Sequence, residues 1–539
     1  MRKTILICSN VYPPNFVGGA ELIAHYQAKA LQKAGHEVII YAGDMSEGWA
    51  RYEMRRDLYE GLPVYRVHLA GPDYQSDYVN FFHAEVEKQF ASLLEAHAPD
   101  VVHMHNIIGL STGIIHAAKR FGARTVVTLH DHWGFCFKNT IIKREEEICS
   151  DFHQCHECMP TIHDGADRNI PIRMRNDYLR LVFDEADYVV SPSRYLAQQY
   201  ARAGFPVNKL RLVSYGIDVE RFSRVQKTPR NGRVRFTFIG YLGHHKGVGT
   251  LIEALPLVGA PDRFHINIVG FGYLSESLKR RAQELGYGSS VSFLGKVENE
   301  RIDDVLANTD VLVLPSVWPE NQPVTVTEAM ATRTAVIGSR LGGMSELVED
   351  GLNGFLFQHG NPRDLAAKMA LFLTEPERIA ACGDRGFERI AGNTFDRQVR
   401  KLLRLYDAKP FHSALPAAVV PLIVCTGERV DPVCADALAA MRSDAEFLGC
   451  RFVMSDWVTS FQLKQAAAVW VVGKSPSTEC LRLAGQFSIP VVGPEGQGDV
   501  RDPVTLQWNY RDRAIAVLRR AIALRQMGRT VRHVAAAHA

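Results

Sequence analysis

Short apolar runs rich in β-branched residues alternate with longer amphipathic segments over most of the chain. This alternation predicts parallel β-sheets covered by helices, because a strand needs a crossover to reach a parallel neighbour. The chain opens on a strand at residues 4–8, a helix at about 19–34 that ends before Gly35, and a strand at 37–41. Four further strands are predicted at 101–103, 125–129, 188–191 and 210–213.

The same pattern restarts after a polar, basic stretch. Strands are predicted at 235–239, 265–269, 291–293, 311–314, 335–338 and 354–357, and a helix follows near residue 395. Two successive doubly wound units of this kind place a ligand cleft between them, at the carboxyl ends of the strands.

The last part of the chain repeats the alternation on a smaller scale. Strands are predicted at 422–426, 450–455, 468–472 and 489–492, with helices at 431–441, 477–487 and 511–526. We divide the chain into an N-terminal domain (1–219), a linker (220–233), a second domain (234–394), a closing helix (395–408) and an additional α/β unit (409–539).

The composition narrows the function classes. With 46% hydrophobic and 22% charged residues, the chain has the composition of a globular protein, so long disorder is not expected. Lys plus Arg (62) nearly balances Asp plus Glu (59), so we expect no nucleic-acid partner. The first apolar run is too short for a signal-peptide core and no run approaches the length of a bilayer span, so we expect a cytoplasmic protein.

Two glutamates, Glu320 and Glu328, flank Pro323 after the strand predicted at 311–314. Proline favours a helix start, so Glu320 is expected in a loop and Glu328 about one and a half turns into a helix. The two carboxylates can then face one pocket, where they accept hydrogen bonds from the vicinal hydroxyls of a sugar and a ribose. The alternative is that both glutamates are capping or solvated side chains.

Other features follow neighbouring strands and favour the pocket. The amides of Gly342 and Gly343 are unhindered, and Lys246 can pair with a diphosphate. Gly270 and Gly272 follow yet another strand. Because the carboxyl ends of parallel strands meet at one edge of a sheet, these features converge on a single site.

Several segments around these residues carry a resemblance. They are Leu314-Pro315-Ser316, Glu320 followed after seven residues by Glu328-Ala329-Met330, Gly342-Gly343, Glu346-Leu347-Val348 and Gly351-Leu352-Asn353-Gly354. Together they resemble the retaining glycosyltransferases called group 1 (family four), and the resemblance extends over residues 1 to about 408. It implies the α/β GT-B fold, two Rossmann-like domains facing across a cleft, here with a smaller C-terminal α/β unit.

The resemblance implies roles on the donor side. Glu320 would bind hydroxyls of the transferred sugar and Glu328 the ribose of a nucleotide-sugar donor, while backbone groups of Asn321 and Gln322 would line the sugar site. Lys246 would neutralise the diphosphate, and the Gly342–Gly343 amides would support a phosphate or the sugar. An arginine common in the family is replaced here by Tyr241, so the phosphates depend more on Lys246, with His244 or His245 as possible helpers.

On the acceptor side, the resemblance points to Gly18 and Gly19, a glycine loop that would lie against the donor across the cleft. His130 stands where many family members have an active-site histidine, and His105 is a second choice. The implied role of His130 is to contact the transferred sugar and hold the reacting geometry. The implied reaction is a front-face transfer in which the leaving phosphate acts as base, with no metal ion needed for catalysis.

Four cysteines, Cys136, Cys149, Cys155 and Cys158, lie in one charged loop at 136–158. Thiolates at this spacing can form a tetrahedral zinc site that stiffens a loop without a core of its own. The alternatives are four reduced thiols and, more remotely, an iron–sulfur cluster.

A stretch at 167–182 carries arginines at positions 168, 173, 175 and 180. It is interpreted either as a solvated helix face or as a contact with an anionic membrane surface or an acceptor phosphate. The sequence thus predicts a transferase with a nucleotide-sugar donor and a saccharide or lipid-linked acceptor, in bacterial surface polysaccharide or glycolipid synthesis. The alternatives are a sugar-nucleotide epimerase or phosphorylase of the same fold, or an inactive nucleotide-sugar-binding scaffold. The oligomeric state is left open.

Overall fold

Two parallel sheets covered by helices form the described part of the chain up to residue 408. The computed structural model describes residues 2–408, except 16–17, 76, 144–146, 153 and 164–168, and beyond residue 408 it describes four strands. Each sheet with its helices is called a lobe below, the first lobe containing β1–β10 and the second β11–β16.

The first lobe is built on an eight-stranded sheet with the order β10-β9-β6-β5-β1-β2-β4-β3. Neighbouring strands run parallel except β3, which is antiparallel to β4. A separate antiparallel pair, β7 and β8, lies beyond the cysteine-rich loop. The strands are β1 (Thr4–Ser9), β2 (Glu37–Asp44), β3 (Met54–Tyr59), β4 (Leu62–His68), β5 (Val101–Met104), β6 (Arg124–Thr128), β7 (Thr161–His163), β8 (Asn169–Pro171), β9 (Tyr188–Ser191) and β10 (Leu210–Leu212).

The apolar run that opens the chain becomes a strand buried on both faces. Ile5 and Ile7 belong to one hydrophobic cluster, whereas Leu6 and Cys8 belong to another on the opposite side of the sheet. Helices cover both faces, which explains why β1 is continuously apolar. The helices of this lobe are α1 (Gly19–Lys33), α2 (Ala84–His97), α3 (Gly113–Phe121), α4 (Cys155–Cys158), α5 (Ile172–Glu185) and α6 (Arg194–Arg202).

The second lobe is built on a six-stranded, fully parallel sheet with the order β13-β12-β11-β14-β15-β16. Its strands are β11 (Val234–Ile239), β12 (Phe264–Val269), β13 (Val291–Gly295), β14 (Val311–Leu314), β15 (Ala335–Ser339) and β16 (Phe355–Phe357). The helices from the lobe boundary onward are α7 (Val219–Ser223), α8 (Val248–Val258), α9 (Ser275–Glu284), α10 (Ile302–Ala307), α11 (Val324–Ala331), α12 (Met344–Leu347), α13 (Pro362–Thr374), α14 (Glu377–Ile390) and α15 (Phe395–Asp407). This is the doubly wound pair of units that the sequence predicts.

The chain crosses between the lobes twice, at adjacent points. The amide of Ile217 donates to the carbonyl of Asn393 at 2.8 Å. After the second crossing α15 returns to the first lobe, where Asp407 pairs with Lys3 at 2.8 Å. The two chain crossings therefore lie side by side, and the last helix belongs structurally to the first lobe.

Beyond residue 408, a four-stranded parallel sheet has the order β18-β17-β19-β20. Its strands are β17 (Leu422–Thr426), β18 (Arg451–Met454), β19 (Ala466–Val471) and β20 (Val491–Val492), so the four predicted strands are confirmed. The helices predicted at 431–441, 477–487 and 511–526 lie outside the described residues. Over the helices that the structure describes, none has the length and apolar character required to cross a membrane.

One element was not predicted from the sequence, and one expectation from the sequence is wrong. The hairpin of β3 and β4 is not predicted, because β3 is polar and exposed along most of its length. The arginine-rich stretch does not form a basic surface, since Arg175 and Arg180 of α5 are buried. Arg168 of that stretch lies outside the described residues. Buried guanidinium groups cannot contact a membrane, so this stretch gives no support to a peripheral membrane contact.

Candidate active site

Glu320 lies in the loop after β14 and is 7% exposed. Its Oε1 atom accepts hydrogen bonds from Lys246 Nζ at 2.8 Å, from Ser316 Oγ at 2.7 Å and from Trp318 Nε1 at 2.8 Å. Burial alone would raise the pKa of Glu320, but Lys246 and these donors hold it below its usual value. The carboxylate is therefore ionised and held in one orientation.

Lys246 reaches Glu320 from the loop after β11. Its ammonium also lies 5.0 Å from the centre of the Trp318 ring, a cation–π contact. Gly247, with φ +65°, lets its loop approach closely, because a Cβ there would lie 2.0 Å from the carbonyl oxygen of Pro315. The predicted juxtaposition of Lys246 and Glu320 is thus present, and Trp318 is an additional member that the sequence analysis did not include.

Glu328 has the opposite environment. It lies in α11, which begins at Val324 with Pro323 as the N-cap residue rather than as the first helical residue. The Glu328 side chain is 7% exposed, and its carboxyl group makes no hydrogen bond to any residue that the structure describes. Burial raises the pKa of Glu328 to about 7, while Arg221 opposes the rise. Its oxygens are available to hydroxyl donors.

Arg221 and Tyr26 border the Glu328 carboxylate from two sides. Arg221 pairs with Asp303 at 2.8 Å and donates to the carbonyl of Asn299 at 2.8 Å. Tyr26, on α1 of the first lobe, accepts a hydrogen bond from Asn299 Nδ2 at 2.5 Å. The ribose site implied by the resemblance would therefore have a wall from each lobe.

Gly342 and Gly343 pack directly on the Glu320 loop. A Cβ at Gly342 would lie 2.3 Å from the carbonyl oxygen of Glu320, and one at Gly343 would lie 1.7 Å from that of Asn321. The Gly343 amide donates to the Glu320 carbonyl at 2.6 Å. This amide is therefore used within the protein in this structure, and the pair has a packing role that the sequence analysis did not anticipate.

The loop that carries Lys246 contains aromatic rings where the resemblance would place a second cation. Tyr241 is exposed and stacks on His245, with ring centres 6.1 Å apart, and His245 contacts Trp318. Burial and the neighbouring Lys246 lower the pKa of His245 to about 4. His245 is therefore neutral at pH 7 and can help at a diphosphate only as a hydrogen-bond donor.

The half-buried ring of His130 follows β6 and lies between the rings of His105 and Tyr215, both of which are buried. Its Nε2 atom is 3.0 Å from His105 Nδ1, and its Nδ1 atom is 2.7 Å from Tyr215 Oη. His105 stacks on His103, with ring centres 4.8 Å apart. His103 is 2.6 Å from Tyr406 Oη through Nδ1. The two histidines that the sequence singled out therefore touch each other.

The partners of these rings assign their tautomers. His105 Nε2 is buried without a hydrogen-bond partner, and a bare lone pair there costs less than an unpaired N–H. His105 therefore has its proton on Nδ1 and donates to His130 Nε2. His130 then has its proton on Nδ1 and donates to Tyr215 Oη. A sugar hydroxyl that binds this N–H must compete with Tyr215.

The three histidines in this run of neighbouring rings, His103, His105 and His130, are neutral at pH 7. Burial lowers the pKa of His103 and of His130 to about 3, and that of His105 well below its usual value. No carboxylate contacts any of the three rings among the described residues to offset the cost of a buried positive charge. His130 is thus suited to hold a hydroxyl in place and unsuited to supply a positive charge.

Asn321 and Gln322 join the two lobes through their side chains. Asn321 donates to the His130 carbonyl at 3.2 Å and contacts Ser193 Oγ. Gln322 Oε1 accepts from the Tyr215 amide at 3.0 Å. The sequence analysis assigned these residues to the sugar site through their backbones, and the structure adds an interlobe contact through their side chains.

The glycine loop before α1 faces the start of α11 across the cleft. A Cβ at Gly19 would lie 3.1 Å from Val324 Cγ2, whereas Gly18 has open space around it. The Gly18 amide donates to Glu21 Oε2 at 2.9 Å. A side chain at Gly19 would therefore require Val324 to shift, whereas one at Gly18 would not be obstructed. The contact of this loop with a donor stays a prediction.

The four cysteines of the 136–158 loop lie near one another without forming a metal centre. All four are free thiols, and burial raises the pKa of Cys136 to about 12. Over the residues that the structure describes, no three His, Cys, Asp or Glu side chains are arranged to hold a metal ion. The zinc site stays a prediction, and nothing in the geometry of the thiols adds to it.

Two family models match this chain on either side of the lobe boundary. The model described as Glycosyltransferase Family 4 matches residues 17–221, and that described as Glycosyl transferases group 1 matches residues 219–389. The chain belongs to the group 1 glycosyltransferases. The matched ranges include residues from both faces of the cleft.

Curated relatives of this glycosyltransferase include enzymes of polymer and glycolipid synthesis. An uncharacterised glycosyltransferase of Methanocaldococcus jannaschii is 26% identical over 66% of this chain and 85% of its own length. The amylovoran biosynthesis glycosyltransferase AmsK of Erwinia amylovora is 29% identical over 38% of this chain and 53% of its own length. A GDP-mannose-dependent mannosyltransferase of Mycolicibacterium smegmatis, named for a phosphatidylinositol monomannoside, is 30% identical over 39% of this chain and 58% of its own length.

Solved structures confirm the GT-B fold. Sucrose-phosphate synthase of Thermosynechococcus elongatus has a TM-score of 0.57 at 18% identity, covering 75% of this chain and 98% of that one. HepE of Anabaena, solved with UDP and glucose, has a TM-score of 0.54 at 18% identity, covering 75% of this chain and 99% of that one.

The sequence analysis missed Tyr215 and Ser193 at the interlobe surface, and it named Glu346 only within a motif, without its contact with the first lobe. Both carboxylate oxygens of Glu346 accept backbone amides at the start of α6, from Arg194 at 3.0 Å and Tyr195 at 2.7 Å. Tyr215 could have been recognised from the sequence, because the glycine that follows it, Gly216, comes after a strand end at the lobe boundary. The Ser193 and Glu346 contacts join residues distant in sequence and leave no local pattern.

Proposed function

We propose that this group 1 glycosyltransferase takes a nucleotide-sugar donor and transfers its sugar, with retention of anomeric configuration, to a hydroxyl of a saccharide or lipid-linked acceptor. The biological setting that fits is the synthesis of a bacterial surface polysaccharide or glycolipid. The relatives named for amylovoran and for a phosphatidylinositol mannoside support this setting. HepE, solved with UDP-glucose, supports the donor class.

The observation that carries the proposal is the contrast between the two glutamates. The Glu320 carboxylate is fixed by Lys246 and two neutral donors, whereas the Glu328 carboxylate is buried with no described partner. Neither oxygen of Glu328 is among the fully buried atoms without a partner, so the carboxylate keeps access to the cleft and can accept hydrogen bonds from ribose hydroxyls. Glu320 keeps one oxygen, Oε2, outside these bonds for a sugar hydroxyl.

The transfer itself needs little covalent chemistry from the protein. The bond between the anomeric carbon and the diphosphate oxygen breaks, and the acceptor oxygen forms its bond on the same face. The acceptor proton passes to the departing diphosphate. Lys246 stabilises the charge that develops on the phosphates, and His130, being neutral, orients a hydroxyl without adding charge near the cationic sugar. No step requires a divalent metal.

The test begins with the donor. Thermal unfolding is measured with UDP-, GDP-, ADP- and dTDP-sugars, and the stabilising donor is used in a transfer assay with an excess of EDTA. The expected result is transfer that persists in EDTA and a product whose anomeric configuration, read from NMR coupling constants, matches the donor. Inversion of configuration would refute the retaining mechanism.

Glu320→Ala provides the test of the site. We expect nucleotide binding to persist while transfer falls by about 10²- to 10³-fold, because a charged group fixed toward the sugar is lost. The matched control is Glu276→Ala, since Glu276 also pairs with a lysine at 2.8 Å but is 82% exposed. Release of free nucleotide diphosphate at the full rate without acceptor would indicate an epimerase instead. Binding without any turnover would indicate a scaffold.

A further inference from the structure

Arg221 lies in the segment that joins the two lobes, shortly after the first crossing at Ile217. It belongs to α7, which packs against α11, the helix that carries Glu328. The packing is apolar, because Phe222 of α7 belongs to the same hydrophobic cluster as Val326 of α11. A residue of the interlobe segment, rather than of either sheet, therefore stands beside the Glu328 carboxylate.

Two groups of the second lobe hold the Arg221 guanidinium in place. Its Nε donates to Asp303 Oδ2 at 3.0 Å and its Nη2 lies 2.8 Å from Asp303 Oδ1, which makes a bidentate ion pair. Nη2 also donates to the carbonyl of Asn299 at 2.8 Å. Among the described residues the guanidinium thus bonds Asp303 and Asn299, and its charge acts on Glu328 without a hydrogen bond to it.

Two carboxyl groups, those of Glu328 and Asp303, share this one cation. Burial raises the pKa of Glu328, Arg221 lowers it and Asp303 raises it further. Tyr26 of α1 is the other titratable group that faces Glu328. No charged side chain of β14, β15 or α14, which also pack on α11, is among the described groups that shift the pKa of Glu328. Arg221 and Asp303 therefore act on Glu328 with opposite sign.

This arrangement suits a ligand that brings neutral hydroxyls. When Glu328 is ionised, the three side chains carry two negative charges and one positive charge, so a further anion would be repelled. A direct ion pair between Arg221 and Glu328 would occupy the oxygens that accept from a ribose. Asp303 engages the guanidinium instead. The first lobe contributes Tyr26, whose Oη accepts from Asn299 Nδ2 at 2.5 Å.

We propose that Arg221 is a positioning residue of the donor site, held by Asp303 so that its charge supports an open Glu328 carboxylate for the ribose hydroxyls. The proposal rests on the proposed function, since it assigns the residue that prepares the ribose acceptor in the same cleft. Arg221 acts through Glu328 rather than on the reacting atoms. The donor site is then complete only when the interlobe segment is seated against α10 and α11.

The test compares the two members of the Arg221–Asp303 pair. Arg221→Gln removes the positive charge, so the Glu328 carboxyl group should ionise at a pH about one unit higher. Asp303→Asn removes a negative charge, so the same group should ionise at a lower pH. Arg224→Gln is the matched control, because Arg224 ends α7 and pairs with Glu220 on the surface, where the two side chains are 74% and 76% exposed.

The probe is whichever of UDP, GDP, ADP and dTDP most stabilises the wild type against thermal unfolding. Its Kd is measured by isothermal titration between pH 6 and 9 on the full-length chain. We expect the midpoint of the pH-dependent loss of affinity to rise by about one unit in Arg221→Gln, which makes binding about fivefold weaker at pH 7. The affinities of this variant and the wild type should converge at pH 9.

In Asp303→Asn the midpoint should fall, and in Arg224→Gln it should not move. A structural role for the ion pair predicts instead that Arg221→Gln and Asp303→Asn weaken binding by similar factors at every pH. If a nucleotide binds the wild type and the midpoints of these two variants stay in place or move in the same direction, the role of Arg221 is overturned and the proposed function stands.

A second measurement needs no nucleotide. Thermal unfolding at pH 8 gives the effect of Glu328→Gln in the wild type, in Arg221→Gln and in Asp303→Asn. The gain in unfolding temperature should be largest in Arg221→Gln, where the carboxylate has lost its counter-charge, and smallest in Asp303→Asn. Equal gains would overturn the role of Arg221. If the gains differ as expected but no nucleotide binds the wild type at any pH, the proposed function fails and the link from Arg221 to Glu328 stands.

Discussion

The two faces of the cleft differ in how they accommodate titratable side chains away from solvent. On the second lobe, Glu320 is buried as an ion because Lys246 contacts it at 2.8 Å. On the first lobe, His103 and His105 are buried and His130 is half-buried, and all three are neutral rings, since no charged partner contacts them among the described residues. Under the proposed function, the charged face would receive the diphosphate and the neutral face would orient hydroxyls. This division matches a reaction in which negative charge grows on the departing group.

The largest expected effect comes from breaking the charged face. Lys246→Met should lower transfer by about 10²- to 10³-fold, because it removes the cation at the phosphates and leaves the buried Glu320 carboxylate without its partner. The measurement is kcat with the best donor.

The control for that change is Lys279→Met. Lys279 pairs with Glu276 at 2.8 Å, the same distance as in the Lys246–Glu320 pair, but on the exposed surface of α9. Its loss should change the rate by less than about twofold, because exposed ion pairs contribute little. Equal effects of the two substitutions would contradict the assignment of Lys246 to the site.

Glu328→Gln sharpens the comparison within the second lobe. Donor affinity should fall by roughly tenfold, because a neutral amide oxygen accepts ribose hydroxyls less strongly than a carboxylate. The raised pKa of Glu328, about 7, predicts that wild-type donor affinity weakens as the pH falls from 8 to 6. In the variant the affinity should not follow this titration, and isothermal titration at several pH values gives both results.

In the absence of donor, the ionised Glu328 carboxylate should lower the free energy of unfolding. Folding raises the pKa of this carboxyl group from 4.5 to about 7. The group therefore stabilises the folded state below pH 4.5, and this contribution is lost as the pH rises through about 7. Glu328→Gln should therefore unfold at a higher temperature than the wild type at pH 8, by roughly 1–3 °C. Near pH 4.5 the difference should disappear, and a difference that persists there would show that the effect is not ionisation.

Tyr215→Phe tests the neutral face. The substitution removes the acceptor of the His130 Nδ1–H bond at 2.7 Å, so the ring is less well oriented and kcat should fall by about fivefold to tenfold. Donor KM should change little. Tyr406→Phe is the control, because its hydroxyl bonds His103 at 2.6 Å, two rings away from His130. If both variants lose the same activity, the role is structural rather than one of positioning.

The smallest expected effect on the rate concerns the cysteine loop. The buried Arg175 forms no ion pair with a carboxylate among the described residues, and Cys136 and Cys155 are the neighbouring groups whose negative charge would offset its burial. Because burial raises the pKa of Cys136 to about 12, that thiol is uncharged at pH 7 without a metal. A zinc ion held by four thiolates would supply negative charge there. Near-stoichiometric zinc in protein purified without added metal is the predicted outcome, with transfer unchanged by EDTA. Protein that folds without zinc or iron would show that the thiols are simply reduced.

Features formed by residues close in sequence could be predicted, whereas contacts between residues distant in sequence could not. The donor side was predictable because Glu320, Glu328 and the glycine pair stand in one short window, each after a strand end. The buried strands were predictable because β1 and β14 are apolar throughout. The hydrogen bond from His105 to His130 and on to Tyr215 was not, because these residues come from three different strand ends and meet only in the folded sheet.

The adjacent crossings between the lobes have a consequence for whatever follows the catalytic body. Gly216 and Phe395 touch there, since a Cβ at Gly216 would lie 2.5 Å from the Phe395 Cα. Because Lys3 and Arg124 of the first lobe bind Asp407 and the carbonyl of Ala408, any displacement of the second lobe would leave α15 with the first, and the segment after residue 408 starts from that lobe.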